Sequence, residues 1–329
     1  MSHVRIVKTV IGTLIVLIVV LIVMVTLKAF DPTQKVQQRG TMTEGFGQQE
    51  TKLFDHVMYK KKWGIETFLF IGVDKTSDVI AGPRDGGQAD TLIVATIDHE
   101  LKQVSLLQID RDTLADITVL GYLGDLMGIR HLQICLAHGY GETREQNDRY
   151  TVEAVSRMLD NLQFDGYFSM NLNNITVINH LLGGVTVSVE DDFSQWDSQM
   201  VPGAIVKLSD DQAELFLHSR MSVGDGKNTS RMRRHREYLE SAITELKQKM
   251  KSSASFSKKF LDGVIDVSHT DIAYGKIINE LNLAYGYEFL PIETLEGTHS
   301  RDENGFVTFI LDNGAVQKWI KNHYFEPNT

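Results

Sequence analysis

The sequence has almost no cysteine, no internal repeat and no low-complexity segment. The one cysteine among 329 residues, Cys135, excludes an internal disulfide and a cysteine-rich zinc site. We interpret it as a buried free thiol, and a single cysteine does not fix the compartment in which the protein works. Hydrophobic residues make up 42% and charged residues 23% of the chain, which is typical of a globular protein rather than a disordered one.

Charged side chains are absent between Thr9 and Leu27, where Ile, Val and Leu dominate. As a helix this segment would measure about 28 Å, close to the ~30 Å hydrocarbon core of a membrane. The run ends in LKAFDP, which is a poor signal-peptidase site. The sequence therefore predicts a cytoplasmic tail at residues 1–8, an uncleaved transmembrane anchor at residues 9–27 and a polar linker at residues 28–62. Positive charges flank the anchor on both sides, so they do not decide its orientation.

Acidic side chains are absent from residues 1–28, and the net charge of −10 is distributed unevenly. This first segment contributes +3, which leaves −13 on the remainder. Residues 220–236 nevertheless carry six Lys and Arg side chains against one acid, Asp225. A basic segment within an acidic body predicts an anionic partner. Nucleic acid is not expected, because the rest of the surface would repel it and no helix-turn-helix is apparent.

Strand and helix patterns alternate from residue 63 onward. Short apolar runs predict strands at Thr67–Val73, Asp90–Asp98 and Gln103–Ile109, and the last two are close enough to form an antiparallel hairpin. Further strands are predicted at 185–189, 288–292 and 305–311, and helices at 151–162, 173–182, 209–218, 228–252, 260–282 and 315–323. We therefore expect an α/β fold: one three-layer domain at residues 63–326, with a central mixed sheet flanked by helices.

Two acidic residues lie at the ends of neighbouring predicted strands. Asp74 follows the first strand, and Asp90 opens the second, after a glycine-rich loop at residues 80–88. Two such carboxylates suit Mg²⁺, which takes one or two carboxylates together with phosphate oxygens. An aspartate at the end of a strand is also commonly a turn or cap residue, so both interpretations stay open.

Basic residues follow the third strand and begin the longest helix. Arg111 could place its guanidinium in a site, oriented by Asp112, or form a surface salt bridge. On the helix, Arg231, Arg234 and His235 cluster on a face that borders the apolar stripe. Arginines near the positive end of a helix are unfavourable unless an anion binds there. The pattern therefore favours an anion site over a solvated helix face.

In their order, these segments resemble the LytR-CpsA-Psr phosphotransferases. The matching pieces are Gly72-Val73-Asp74, Ala89-Asp90-Thr91, Arg111-Asp112-Thr113, His138-Gly139-Tyr140-Gly141, Leu182-Gly183-Gly184-Val185, and Ser219-Arg220 with Asp225, Arg231 and Arg234. The resemblance covers about residues 66–240. It implies a single-pass protein of the cytoplasmic membrane with its C-terminal domain outside the cell. Such a protein transfers an anionic glycopolymer, such as teichoic acid, from a polyprenyl-pyrophosphate carrier to peptidoglycan.

The resemblance also implies roles for individual residues. Asp74 and Asp90 resemble the Mg²⁺ ligands. The arginines that resemble those binding pyrophosphate are Arg111, Arg220, Arg231 and Arg234, and the neighbouring Arg84 and His235 are added as candidates. Arg111, Asp112 and Arg220 are expected to act in catalysis. The general base is not identified, and Asp90 and Asp112 are its candidates.

Two arginines of the family pattern are missing, at Gln88 and Ser222, and Arg84 is the candidate replacement for the first. Two other functions stay open, and these losses favour the first of them. One is a membrane-tethered binder or regulator of polyprenyl-phosphate lipids without catalysis, and the other is a pyrophosphatase that uses water as the acceptor. Each of these functions requires Arg111 and Arg220 to converge on one pocket.

Overall fold

The computed structural model describes residues 50–328 except 76–78, 82–83, 122, 221, 254, 276 and 278–285. The predicted cytoplasmic tail, the transmembrane anchor at residues 9–27 and most of the linker lie outside the described residues. Within the described ranges, no helix combines the length and the apolar character that crossing a membrane requires.

Strands and helices follow one another throughout the described chain. The strands are β1 (Thr51–Phe54), β2 (Val57–Lys61), β3 (Ile65–Asp74), β4 (Gln88–Asp98), β5 (Gln103–Ile109), β6 (Leu114–Leu120), β7 (Leu126–Gln133), β8 (Gly166–Asn171), β9 (Thr186–Ser188), β10 (Ile205–Lys207), β11 (Ser268–Thr270), β12 (Glu288–Phe289), β13 (Glu293–Thr294), β14 (Gly297–Arg301), β15 (Val307–Leu311) and β16 (Phe325–Pro327). The α-helices are α1 (Arg144–Met158), α2 (Ile175–Leu182), α3 (Asp210–His218), α4 (Asn228–Ser252), α5 (Phe256–Ile265) and α6 (Asn313–Tyr324), and short 3₁₀ helices cover Ile134–Gly139 and Leu172–Asn174.

The central sheet is mixed, as predicted. Its strand order is β11-β8-β3-β4-β5-β12, and β13 also pairs with β5. The β4–β5 hairpin is antiparallel, which confirms the prediction, and β3 pairs antiparallel with β4 but parallel with β8. Since β3 and β4 consist mostly of apolar, β-branched and aromatic residues, they can be buried on both faces.

Helices cover the sheet on both sides. Phe68 and Phe70 of β3 point into a core with α2, α3, α4 and α5, here called the α4-side core. Leu69 and Ile71 point the other way, into a core with α1 and α6, here called the α1-side core. Strict alternation along the strand therefore feeds two separate cores, and the sheet lies between two layers of helices.

Residues 50–61 belong to the folded domain, although the sequence predicts them as part of the linker. β1 pairs antiparallel with β2, and β2 pairs with the C-terminal strand β16. Phe54 is buried against Phe325, with ring centroids 5.3 Å apart. Strands as short as β1 and β2 are stabilised by pairing with a distant strand, so their own residues do not predict a strand clearly.

Two predicted helices have different bounds. The helix predicted at 151–162 begins earlier, at Arg144, because Thr143 caps it by accepting a hydrogen bond from the Gln146 amide. The helix predicted at 260–282 is interrupted: it spans Phe256–Ile265, and β11 then adds to the edge of the central sheet beside β8. Residues 274, 275 and 277 are helical again, as predicted. Residues 276 and 278–282 of that prediction lie outside the described ranges.

Candidate anion-binding site

A β-bulge decides which way Asp90 faces. Gly72 pairs with Thr91 and Val73 with Ala89, so Asp90 is an extra residue on β4. Leu92 of β4 belongs to the α1-side core, and simple alternation would turn Asp90 to that side as well. The extra residue turns it instead toward α4, where it meets Arg231.

The Asp90 carboxylate binds two arginines from distant parts of the chain. Its side chain is only 1% exposed. Oδ1 accepts a hydrogen bond from Arg111, which follows β5, and Oδ2 accepts one from Arg231 of α4 at 3.2 Å. Arg111 also donates to Gln88 and, at 3.3 Å, to the buried Cys135 thiol. The sheet and α4 thus share one ionic cluster.

Arg220 and Asp112 lie in the same cluster. Burial raises the pKa of Asp112, while Arg111, Arg220 and Arg231 oppose that rise and Asp110 adds to it. Burial, followed by repulsion from Arg111 and Arg220, lowers the pKa of Arg231 to about 9. Among the described residues, Nε of Arg220 is buried without a hydrogen-bond partner. Three guanidiniums therefore converge, and an anion among them would relieve their repulsion.

Asp74 faces two of the same arginines. Burial raises its pKa to about 6, although Arg111 and Arg231 both act to lower it. A nearby divalent cation would favour the ionised carboxylate. Within the described ranges, no three His, Cys, Asp or Glu side chains form a group that could hold a metal ion by themselves. Mg²⁺ fits a pair of carboxylates, because it usually keeps water and substrate phosphates as its other ligands. Both oxygens of Asp90 are engaged by guanidiniums, so a metal would share that carboxylate with them.

Arg234 and His235, predicted to bind pyrophosphate, instead form hydrogen bonds and an ion pair with other groups of the protein. Arg234 forms an ion pair with Asp191 at 2.6 Å, and it donates to the carbonyls of Phe216 at 2.8 Å and of Ser219. His235 donates from Nε2 to the Leu217 carbonyl at 3.2 Å, and burial keeps its pKa well below the usual range. The geometry does not support anion binding by either side chain. Both instead hold the end of α3, and with it the segment that carries Arg220.

Arg84 is exposed and lies over the ring of Tyr140, 5.6 Å from its centroid. The glycine-rich loop in which it lies packs on the 3₁₀ helix at Ile134–Gly139. The buried His138 side chain contacts the Gly86 carbonyl at 2.9 Å and Asp148 at 3.0 Å. A Cβ at Gly86 would lie only 2.2 Å from the His138 carbonyl oxygen, so this approach requires glycine. The His138–Gly141 match to the family pattern therefore supports the loop that leads into β4.

Two further residues of the pattern have local roles. Asp225 accepts hydrogen bonds from the Ser230 hydroxyl at 2.5 Å and from the Lys227 amide at 3.0 Å, so it orders the turn that begins α4. Gly183 ends α2 with a left-handed φ of 70°, as a helix-terminating glycine does.

Sequence reasoning missed three polar residues beside the cluster. Asn228 accepts a hydrogen bond from Arg231 at 2.7 Å and donates one to Asp110 at 2.9 Å. His299 contacts the other oxygen of Asp110 at 3.0 Å. Asp110 and His299 both line a cavity of about 530 Å³ between β5, α4 and the β14–β15 hairpin. Asp110 could have been noticed beside Arg111, whereas His299 lies outside the segments that carry the resemblance.

Comparisons with known proteins show the family and the fold. The model of the LytR_cpsA_psr family matches residues 22–323. The polyisoprenyl-teichoic acid–peptidoglycan teichoic acid transferase TagU of Halalkalibacterium halodurans is 29% identical over 261 residues, which cover 78% of each chain. TagU of Enterococcus faecalis is 27% identical over 242 residues, or 70% of this chain and 69% of that protein. Among solved structures, protein gbs0355 from Streptococcus agalactiae has the same fold, with a TM-score of 0.64 at 20% identity over 79% of this chain and 87% of that one.

Proposed function

Because this chain belongs to the LytR_cpsA_psr family, we propose that it transfers a phosphate-linked anionic glycopolymer from a polyprenyl-pyrophosphate carrier to peptidoglycan. The observation that carries the proposal is the convergence of Arg111, Arg220 and Arg231 around the buried carboxylates of Asp90 and Asp112. The names of both TagU relatives describe a teichoic acid transfer to peptidoglycan, which supports this class of substrate.

Phosphoryl transfer requires little covalent chemistry from a protein, because positioning and charge neutralisation do most of the work. Arg111 and Arg231 are already fixed by Asp90, so their donors need little reorganisation when a pyrophosphate arrives. Arg220 has a buried Nε without a partner among the described residues, and we assign that donor to the substrate. The three guanidiniums would then share the negative charge that builds up on the phosphates.

Mg²⁺ is part of the proposal as the cofactor, held by Asp74 and Asp90. It would supply positive charge to the two phosphates and to the departing polyprenyl phosphate. The raised pKa of Asp74 supports this assignment, because burial disfavours the ionised carboxylate in the protein alone and a bound cation would favour it. Loss of Mg²⁺-dependent stabilisation in Asp74→Asn would be its direct signature.

We also propose that residues 9–27 anchor the chain in the cytoplasmic membrane, with the folded domain outside. The support is the uncharged apolar run in the sequence. Protease treatment of intact cells tests the orientation, because an external domain is digested and an internal one is protected.

A reconstituted transfer assay tests the function. The full-length protein in detergent would receive a labelled polyprenyl-pyrophosphate-linked glycan, peptidoglycan and Mg²⁺. Transfer yields glycan on peptidoglycan together with polyprenyl phosphate. Free glycan phosphate would instead identify a pyrophosphatase, and donor binding without any product would identify a non-catalytic binder.

Variants connect the activity to the cluster. Arg111→Ala and Arg220→Ala should each lower the rate by about 10²-fold or more, as the loss of one donor does in preorganised electrostatic sites. Arg130→Ala is the matched control, because Arg130 is an exposed residue of β7 that bonds to the neighbouring carbonyl of Ile129. Unchanged rates in both cluster variants would contradict the proposal.

A further inference from the structure

The cavity beside the arginine cluster has the size and lining of a ligand site. Its volume of about 530 Å³ falls within the range of small-molecule pockets, about 300–1,000 Å³. Apolar side chains such as Met232 and Phe309 line it together with polar ones such as Gln108 and Glu296. A sugar ring has an apolar face and a hydroxyl-bearing edge, so a mixed lining of this kind suits a saccharide.

A histidine–aspartate pair lies in the wall of this cavity. The ring nitrogen Nε2 of His299 is 3.0 Å from Oδ2 of Asp110. Since a carboxylate accepts hydrogen bonds, this contact fixes the tautomer in which Nε2 carries the proton and Nδ1 carries the lone pair. The His299 ring also packs on Phe309, with centroids 4.6 Å apart, which restricts its rotation.

Asp110 is held firmly as the partner of this histidine. Its Oδ1 accepts hydrogen bonds from the Asn228 side chain and from the Asp112 amide, both at 2.9 Å. Asn228 in turn accepts from Arg231 of the arginine cluster. The pair therefore lies one hydrogen-bonded residue away from an arginine assigned to the pyrophosphate.

His299 is more exposed to solvent than the two carboxylates that the sequence offered as candidates for the general base. The side chain of His299 is 40% exposed, whereas those of Asp90 and Asp112 are 1% and 4% exposed. The acceptor hydroxyl belongs to a bulky polymer, so it must approach the general base from the solvent side of the protein. His299 is open to such an approach.

We propose that this cavity receives the acceptor saccharide, and that His299, oriented by Asp110, takes the proton from the attacking hydroxyl. The inference rests on the transfer proposed above. As the O–H bond breaks, the proton passes to Nδ1 of His299, and the oxygen forms a bond to the glycan-side phosphorus. The bond from that phosphorus to the bridging oxygen breaks, and its electron pair leaves with polyprenyl phosphate. The imidazolium then releases its proton to solvent.

Chemical rescue tests this role. The full-length protein would be assayed with a synthetic polyprenyl-pyrophosphate disaccharide as donor and a soluble peptidoglycan fragment as acceptor. His299→Ala should lower kcat by about 10²- to 10⁴-fold, the usual contribution of a general base, and leave the donor Kd unchanged. Free imidazole should restore part of the rate, because the shortened side chain leaves room for it. His299→Gln should be equally slow but not rescued, because its side chain still fills the space.

The matched control is His131→Ala. His131 also pairs with an aspartate, Asp116 at 2.9 Å, but on the exposed β6–β7 hairpin, so its removal should leave kcat unchanged. An unchanged kcat in His299→Ala overturns the inference, and so does a loss that imidazole does not restore. A higher KM for the donor rather than a lower kcat would place the donor glycan in the cavity, which also overturns it. If the wild-type protein transfers nothing, the proposed function itself fails.

Discussion

Asp74→Asn should stabilise the metal-free protein above pH 6. The pKa of Asp74 is raised from 3.8 to about 6 in the folded protein, mainly by burial. Between pH 4 and 6 the folded state therefore holds a proton that the unfolded chain has released, and the free energy of unfolding decreases as the pH rises through this interval. Asparagine remains neutral at every pH, so the variant avoids this loss.

The size of the effect follows from the pKa. The rise from 3.8 to about 6 corresponds to about 3 kcal/mol. The side chain is only half-buried, and screening by solvent reduces this to roughly 1–2 kcal/mol. For a domain of this size, that difference should raise Tm by roughly 2–4 °C.

Thermal unfolding of the full-length protein in EDTA, at pH 5 and pH 8, measures the effect. We expect a larger gain in Tm at pH 8 than at pH 5, and none at either pH in the control Glu303→Gln, an exposed turn residue. Added Mg²⁺ should raise Tm of the wild type at pH 8 more than that of Asp74→Asn. Equal Tm values for the wild type and Asp74→Asn at pH 8 would refute the reasoning.

The remaining predictions separate binding residues from structural ones. Arg231→Lys should weaken binding of inorganic pyrophosphate about tenfold in calorimetry, because lysine lacks the planar fork. Arg234→Ala should lower the free energy of unfolding by about 1.5–3 kcal/mol, because Asp191 keeps only the partly exposed Arg233 as an ion-pair partner and the carbonyl of Phe216 loses a donor. Its folded fraction should bind pyrophosphate normally. Burial lowers the pKa values of His138, His218 and His235, to about 3 for His218. The unfolded chain therefore gains protons below pH 6.5 that the folded state does not, and urea unfolding should require less denaturant at pH 5 than at pH 7.

Local patterns predicted the elements whose stability is local. β5 and α4 have the predicted bounds, since the first is one arm of a hairpin and the second carries a long apolar stripe. β1 and β2 were missed, because β2 depends on β16 at the other end of the chain. Alternation within a few residues contains no information about such a partner.

The candidate site was predicted only in part. Residue spacing alone did not decide whether Asp74, Asp90 and Arg111 belong to a functional site or are ordinary cap and surface ion-pair residues. The family resemblance favoured the functional site. Helical periodicity placed Arg231 and Arg234 on the same side of α4. Their different contacts depend on the carbonyls at the end of α3, which periodicity cannot supply.

Because of the bulge on β4, the geometry of this site depends on the number of residues in that strand. Deletion of Ala89 would pair Asp90 with Val73, restore regular pairing with β3 and leave the apolar residues from Leu92 onward in their places. The carboxylate would then point toward the α1-side core, and Arg111 and Arg231 would lose their common acceptor. A change of length would thus separate the arginines without changing any side chain of the cluster, while the folded body survives.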